Sequence, residues 1–250
     1  MLSRVADSLY WMARSMERAE HSARLLRVRL EAMVEQGDLE SSEEWRRMLH
    51  ALADVQADDP SADPRDITFR VAFDRANPSS TLRSLMAARD NARQVREQIS
   101  SEMWEHINRD YLKLTSMDFD AVWSGSPAQT FIEIGDGIWM FQGITHSTMR
   151  HGEGFDFIEL GTYIERAQAV ARLLDVYLSP PQEDGPKFAA PGYFDWINLL
   201  KQCTGFEAYC KVYTAQVAPR KIAEFLIFDP EFPHSVRFAV DKVQSALEQI

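Results

Sequence analysis

The chain has 250 residues, 45% of them apolar and 26% charged, and a formal net charge of −11 at pH 7. That length is ample for a hydrophobic core, and the balance is that of a globular protein. The negative charge argues against nucleic acid or an anionic membrane as a partner, since both require a basic face, whereas a small anionic ligand needs only a local cluster of arginine.

In chain order, "MLSRVADSLYWMARSMERAEHS" carries charges every few residues and lacks the apolar core of a secretory signal. No stretch approaches the ~18–20 apolar residues of a membrane span. Leu2, Val5, Leu9, Met12, Met16, Ala19, Ala23, Leu26, Leu30 and Met33 step by three and four. This a/d seam predicts one long helix, closed by Gly37. A shorter helix is expected from about Ser42 to Val55, then a polar, proline-broken loop over 57–66. One long helix should run from about Pro78 to Leu114, with "SGSP" (124–127) breaking the chain before a helix over Pro127–Thr148. "RHGEG" (150–154) reads as a turn, and the next helix begins near Phe155. Residues 179–192 form the best linker candidate. Helices follow around Trp196–Val217, Pro219–Phe228 and Pro233–Ile250. Nothing alternates as a strand should, so the expected fold is a single all-α domain of antiparallel helices. Cys203 and Cys210, the only cysteines, are seven apart on one expected helix. That places them ~10.5 Å apart, too far for a disulfide, and a reducing cytoplasm is the simplest setting.

The segment "MERAEHSARLL" (16–26) returns as "IERAQAVARLL" (164–174). Aligning Tyr10–Leu30 with Ile158–Leu178 at an offset of 148 makes nine of 21 positions identical. A second echo, "FDRANPSS" (73–80) against "FDPEFPHS" (228–235), follows at an offset of 155. Two echoes in the same order predict an internal duplication, with halves of about 1–147 and 149–250. The second half looks shortened, because the counterpart of residues 89–108 would run past Ile250. A missing tail, a truncation and a partner-supplied helix all fit that reading.

Glu17, Arg18 and Arg24, with Glu165, Arg166 and Arg172, lie beside the seam, next to small alanines. The expected arrangement crosses the two helices at Ala19/Ala23 and Ala167/Ala171 about a pseudo-twofold. Glu17 would then pair with Arg166 or Arg172, and Glu165 with Arg18 or Arg24. One reading is an ion-pair network that fixes register. The other is a polar pocket whose arginines bind a carboxylate or phosphate. Asp74, Asn77, Ser79 and Ser80 open a helix, and such a start binds anions or is simply a cap. Arg89, Arg93 and Arg96 fall at i, i+4 and i+7 on the long helix. His146, His151, Glu153 and Asp156 cluster before the second Glu-Arg helix, without the spacing of a di-iron bundle, and no metal site is expected. No phosphate-cradling glycine loop, nucleophile elbow or other cofactor motif is present.

Together these residues resemble the Alpha-E family, bacterial helical proteins named for a Glu-Arg motif. The resemblance runs through "MLSRVADSLYWMARSMERAEHSARLL", "NPSSTLRSLMAARDNARQVREQISSEMWEHIN", "MRHGEGFDFIELGTYIERAQAVARLL" and "KIAEFLIFDPEFPHSVRF". Arg14 matches the arginine that often precedes the motif, whereas its second-half equivalent is Thr162, and Phe155 stands where tryptophan is common. Genes of the family lie beside those of circularly permuted ATP-grasp and transglutaminase-like proteins. The resemblance therefore implies a role in peptide or amide-bond formation or modification. It points to an accessory subunit without a nucleotide site, working with an ATP-grasp protein and a peptide or amino-acid substrate. An enzyme acting at the Glu/Arg pocket and a structural or oligomerisation protein are the alternatives.

Overall fold

The computed structural model describes residues 1–36, 42–53, 63–178, 188–214 and 216–250. Among them stand α1 (Ser3–Gln36), α2 (Ser42–Ala51), α3 (Pro64–Ala72), α4 (Thr81–Gln94), α5 (Ser101–Thr115) and α6 (Phe119–Ser124). The chain continues through α7 (Pro127–Thr148), α8 (Glu153–Leu178), α9 (Tyr193–Gln202), α10 (Phe206–Tyr213), α11 (Pro219–Phe228) and α12 (Val236–Gln249), with no strand among the described residues.

The three-four seam of α1 is buried from Leu9 to Leu30. It is only one wall of the helix. From Ser15 to Leu26 every residue except Arg18 is buried, polar ones included, because α4, α7 and α8 all pack against α1. A helix enclosed in this way must satisfy its charges inside the protein. Gly37 and Val55 lie outside the described residues, as do residues 179–187 of the expected linker. The described end of that linker is fastened to α2: Arg47 donates to the Ala189 carbonyl, and the Ala189 amide donates to Glu43.

Helices α1 and α8 run side by side in the same direction. At their starts the Met1 amino group contacts Glu153 at 2.8 Å. At their ends Glu44 of α2 accepts from Arg29 at 3.3 Å and from Tyr177 at 3.1 Å. This corrects the expectation of antiparallel neighbours for the central pair. Antiparallel packing follows from short loops, whereas six helices intervene here and return the chain to its starting end. Shorter connections do give antiparallel pairs. Along α5 and α7, Lys113 meets Glu133, His106 meets the Gly137 carbonyl and Ser100 meets Thr148.

Helices α1 and α8 also meet tightly at a residue that the alanine pattern did not single out, Gly161. A Cβ on Gly161 would stand 2.4 Å from the Tyr10 carbonyl oxygen and 3.2 Å from the Ala13 Cβ, so only glycine fits there. Ala19 and Ala23 are buried, but Ala167 is half-buried and Ala171 is exposed. Helix α8 lies between α1 and α12, and the seam read from α1 does not transfer to it.

The expected helix from Pro78 to Leu114 is two helices. Pro78 precedes the true cap, Ser80. After Gln94 the chain turns, pinned by buried Val95 and Ile99, and restarts where the Ser100 hydroxyl accepts from the Met103 amide at 3.2 Å. Arg96 is therefore off the helix. Helices α3 and α6 were not anticipated, although Asp63 with Pro64, and Asp118, cap them as such residues do. The expected helix over Trp196–Val217 breaks at Cys203–Gly205, where Phe232 lies against Gly205. Cys203 and Cys210 thus sit on different segments, and both are free thiols.

Helices α4 and α12 begin alike. Ser80 accepts from the Arg83 amide at 3.2 Å and donates to the Asp74 carbonyl at 2.7 Å. Ser235 accepts from the Phe238 amide at 3.0 Å and donates to the Asp229 carbonyl. Their outer faces differ. On α4, Leu85 and Ala92 are buried; between them Arg89 donates to Asn108 of α5 at 2.7 Å. On α12 the matching Val240 and Leu247 are 50% and 58% exposed.

Candidate functional site

The two Glu-Arg dipeptides meet reciprocally across the α1–α8 pair. Arg166 donates to Glu17 through Nε at 2.6 Å and Nη2 at 2.9 Å. Arg18 donates to Glu165 through Nε at 2.7 Å and Nη2 at 3.1 Å. Both are two-point guanidinium–carboxylate pairs, the strongest neutralising geometry available to these groups. Glu17 is buried and also accepts from Gln142 of α7 at 3.0 Å. Burial opposes the charge on Arg166, but Glu17 outweighs it and holds the guanidinium pKa above its ordinary value. Glu165 receives a second arginine: Arg14 reaches it at 2.7 Å, Gln168 at 2.9 Å and the Tyr10 hydroxyl at 3.1 Å.

Arg24 and Arg172 occupy matching sequence positions but different surroundings. Arg24 is buried, 3.2 Å from Glu20, 3.2 Å from His21 Nδ1 and 3.4 Å from His234 Nδ1. Arg172 is exposed and has no hydrogen-bond or ion-pair partner among the described residues. The expected pairing options therefore resolve to Glu17 with Arg166 and Glu165 with Arg18, with Arg24 and Arg172 outside both. Burial, and then the charge of Arg24, hold His21 and His234 far below the usual histidine pKa. Burial raises the Glu20 carboxyl, although Arg24 opposes the shift.

Two clefts flank the paired helices. The first, about 240 Å³, is lined by Arg14, Arg18, His21, Ser79, Glu165 and Arg172 among others. Three arginines against one carboxylate leave two positive charges in excess, in a chain whose net charge is −11. The second, also about 240 Å³, is lined by Trp139, His146, Glu159, Thr162, Tyr163 and Arg166 among others. Burial raises both the Glu159 carboxyl and the Tyr163 hydroxyl. Where the first cleft has Arg14, the second has Thr162.

The other expected sites separate from these clefts. Asn77 Oδ1 accepts from the Ser79 amide and Asn77 Nδ2 donates to the Arg70 carbonyl, while Asp74 Oδ1 accepts from the Ala76 amide. With Ser80 as the cap, these side chains serve the turn, and only Ser79 reaches a cleft. Arg89 lies 4.7 Å over the Tyr111 ring and Arg96 the same distance over Trp104, so both pack against α5. Arg93 is exposed beside Asp90. His151 stacks on Phe155 at 3.9 Å, His146 sits 3.5 Å from Glu159, and Glu153 holds the amino terminus. Among the described residues no group of three or more His, Cys, Asp or Glu is placed to hold a metal ion, and no helix is long and apolar enough to cross a membrane.

Several participants were not singled out from sequence. Glu20 and His21 stand four and three residues before Arg24, a spacing that places all three on one helix face. His234 lies inside the second echo. Gln142, Gln168, Glu159 and Tyr163 carry no sequence signal of their own.

Three uncharacterised mycobacterial proteins, one of Mycobacterium bovis and two of Mycobacterium tuberculosis strains, are each 24% identical to this chain over 273 aligned positions, covering 99% of it. The chain spans about 30% of the length of these curated relatives. No solved structure matches it. The model of the Alpha-E family, described as a predicted alpha-helical domain with a conserved ER motif, matches residues 1–250. The paired Glu17-Arg18 and Glu165-Arg166 are this chain's Glu-Arg dipeptides, and the chain belongs to the Alpha-E family.

Proposed function

We propose that this domain is an accessory module of an ATP-grasp amide-ligase system, holding a substrate or partner segment while the ATP-grasp protein performs the phosphoryl chemistry. The observation that carries this reading is the cleft beside Glu165, concave and locally cationic on an acidic protein, in a chain without a phosphate-cradling loop. The length of the relatives beyond the matched region supports it too, since a fused partner domain would extend them in that way. Co-purification with an ATP-grasp protein encoded beside it, with and without nucleotide and peptide, is the test. A stable complex is expected, and no association under any of these conditions would count decisively against the module.

We also infer that the two halves, about 1–147 and 149–250, descend from one duplicated unit packed about a pseudo-twofold. The reciprocal Glu-Arg pairs, the facing of Ala13 and Gly161 at an offset of 148, and the matched caps of α4 and α12 support it. Separately expressed halves that assemble with each other would strengthen this reading. Halves that fold independently and ignore each other would end it.

A further inference from the structure

We propose that the cleft beside Arg166, walled by α7 and α8, binds the ammonium group of a residue-sized apolar amine, with Glu159 as its acceptor and Trp139 as its aromatic wall. This goes beyond the reading of the cleft beside Glu165 and does not depend on it.

Glu159 lines this cleft, and neither of its carboxylate oxygens accepts a hydrogen bond among the described residues. Its side chain is 14% exposed, and neither oxygen is among the sealed, unpartnered atoms of the core, so both remain reachable. His146 Nε2 lies 3.5 Å from Oε1, beyond the ~2.7–3.2 Å of a formed N–H···O bond, and its ring is exposed. His151 and Lys242 act on Glu159 only through space, and the Lys242 ammonium sits 5.6 Å from the centre of the Phe238 ring. Burial opposes the charge on Glu159 and raises its carboxyl, a penalty that a cation brought against it would relieve.

The occupant's chemistry follows from the remaining lining. Arg166 gives Nε and Nη2 to Glu17, and Gln142 gives its amide to the same carboxylate. An anion entering here would meet an engaged guanidinium and an open carboxylate, whereas an ammonium finds the carboxylate free. Thr162 leaves room for it. At the matching position of the first cleft Arg14 reaches Glu165 at 2.7 Å, but threonine supplies no cation. Trp139 is 46% exposed and lines the cleft, and an indole face attracts a cation. Ala13, Met16 and Ile158 make the rest of the wall apolar, which suits a hydrocarbon body. A space of about 240 Å³ is smaller than the ~300–1,000 Å³ typical of drug-sized sites and fits one residue-sized amine. The first residue of a peptide and a free alkylamine share this chemistry.

Calorimetric titration of the whole 250-residue chain at neutral pH, with leucinamide, N-acetyl-leucinamide and isopentylamine in separate runs, tests the assignment. Saturable binding of leucinamide, with none of its acetylated form, is expected. Isopentylamine binding as tightly as leucinamide assigns the site to free alkylamines, and weaker binding assigns it to an amino-terminal residue. Glu159→Gln keeps the side chain's shape and should weaken leucinamide about tenfold or more, the loss of one charge-assisted hydrogen bond. Thr162→Arg places a tethered cation in the cleft and should abolish binding. Trp139→Ala, at an exposed position, should weaken leucinamide by about two- to fivefold. If Glu159→Gln fails to fold, the other two variants decide, and unchanged binding in both overturns the proposal. Absence of amine binding, equal binding of leucinamide and its acetylated form, or indifference to Glu159→Gln would each overturn it too. Complex formation with an ATP-grasp protein is a separate readout, so a failed titration beside an intact complex removes the ligand and leaves the module.

Discussion

Glu17 is held by Arg166 through two hydrogen bonds, at 2.6 and 2.9 Å, while Arg18, the next residue along, holds Glu165, the residue before Arg166. Consecutive residues on a helix point ~100° apart, so each dipeptide turns one charge towards each flank of the α1–α8 pair. The two ion pairs therefore face different clefts, one beside Arg166 and the other beside Arg18.

Breaking the Glu17–Arg166 pair should be costly. Glu17→Ala leaves a buried guanidinium uncompensated and is expected to lower unfolding free energy by about 3–5 kcal/mol. Replacing both partners with methionine removes both charges and should cost less than either single change. Urea denaturation of the three variants checks this, and a double variant less stable than both singles would contradict it.

Glu165 and its arginines should respond unequally. Arg18 is one-third exposed, and Arg14 stays on the carboxylate when Arg18 is removed. Arg18→Ala is expected to cost no more than about 1 kcal/mol. Glu165→Ala, which strands two arginines, should cost clearly more. Equal losses in chemical denaturation would show that Arg14 does not share the carboxylate.

The Arg24 cluster makes stability depend on pH. His21 and His234 are held below the ordinary histidine value of ~6.5 by burial and then by Arg24. Below that pH the unfolded chain binds protons that the folded chain refuses, so stability falls as pH falls. The histidine contribution is complete above ~6.5, and each histidine adds a slope of up to ~1.4 kcal/mol per pH unit beneath it. Glu20 acts in the opposite sense. Burial raises its carboxyl, so its contribution is complete below the ordinary glutamate range of ~4.3 and is lost as pH rises through the folded value. His234→Gln isolates one histidine: between about pH 5 and 6, the slope of stability against pH should fall by up to ~1.4 kcal/mol per unit. An unchanged slope would remove His234 from the titration.

The outer faces of α4 and α12 should differ in sensitivity. Leu85→Ala opens a cavity in the core and is expected to cost about 2–5 kcal/mol. Leu247→Ala, on the bare face of α12, should stay within about 0.5 kcal/mol. Comparable losses at the two positions, measured by thermal or urea unfolding, would mean that α12 is covered in solution.

Much of this architecture is written locally. The seam of α1, the proline starts of α7 and α11, and the repeated Glu-Arg dipeptides all appear in the sequence because period and capping are properties of neighbouring residues. The cross-pairing of Glu17 with Arg166 was among the options that the dipeptides allowed. Direction was not legible: an apolar stripe shows which face of α1 is buried, not which way α8 runs beside it. The exposure of Arg172 was equally hidden, since α8 divides its surface between α1 and α12 and only the assembled bundle decides which turn is left bare. The turn at Val95–Ser100 is tertiary in the same sense, because burial of Val95 and Ile99 outweighs a continuous helix-compatible sequence.

The gap between α1 and α8 is set by backbone against backbone, since Gly161 rests on the Tyr10 carbonyl. A little more than one turn further on, the contacts of Arg166 with Glu17 and of Arg18 with Glu165 close at 2.6 and 2.7 Å, a fit with little slack. Position 161 thus works as the gauge of the interface, although it lines neither cleft. One methyl group added there would widen or tilt both clefts together, leaving every side chain in their walls chemically unchanged but out of reach of its partner.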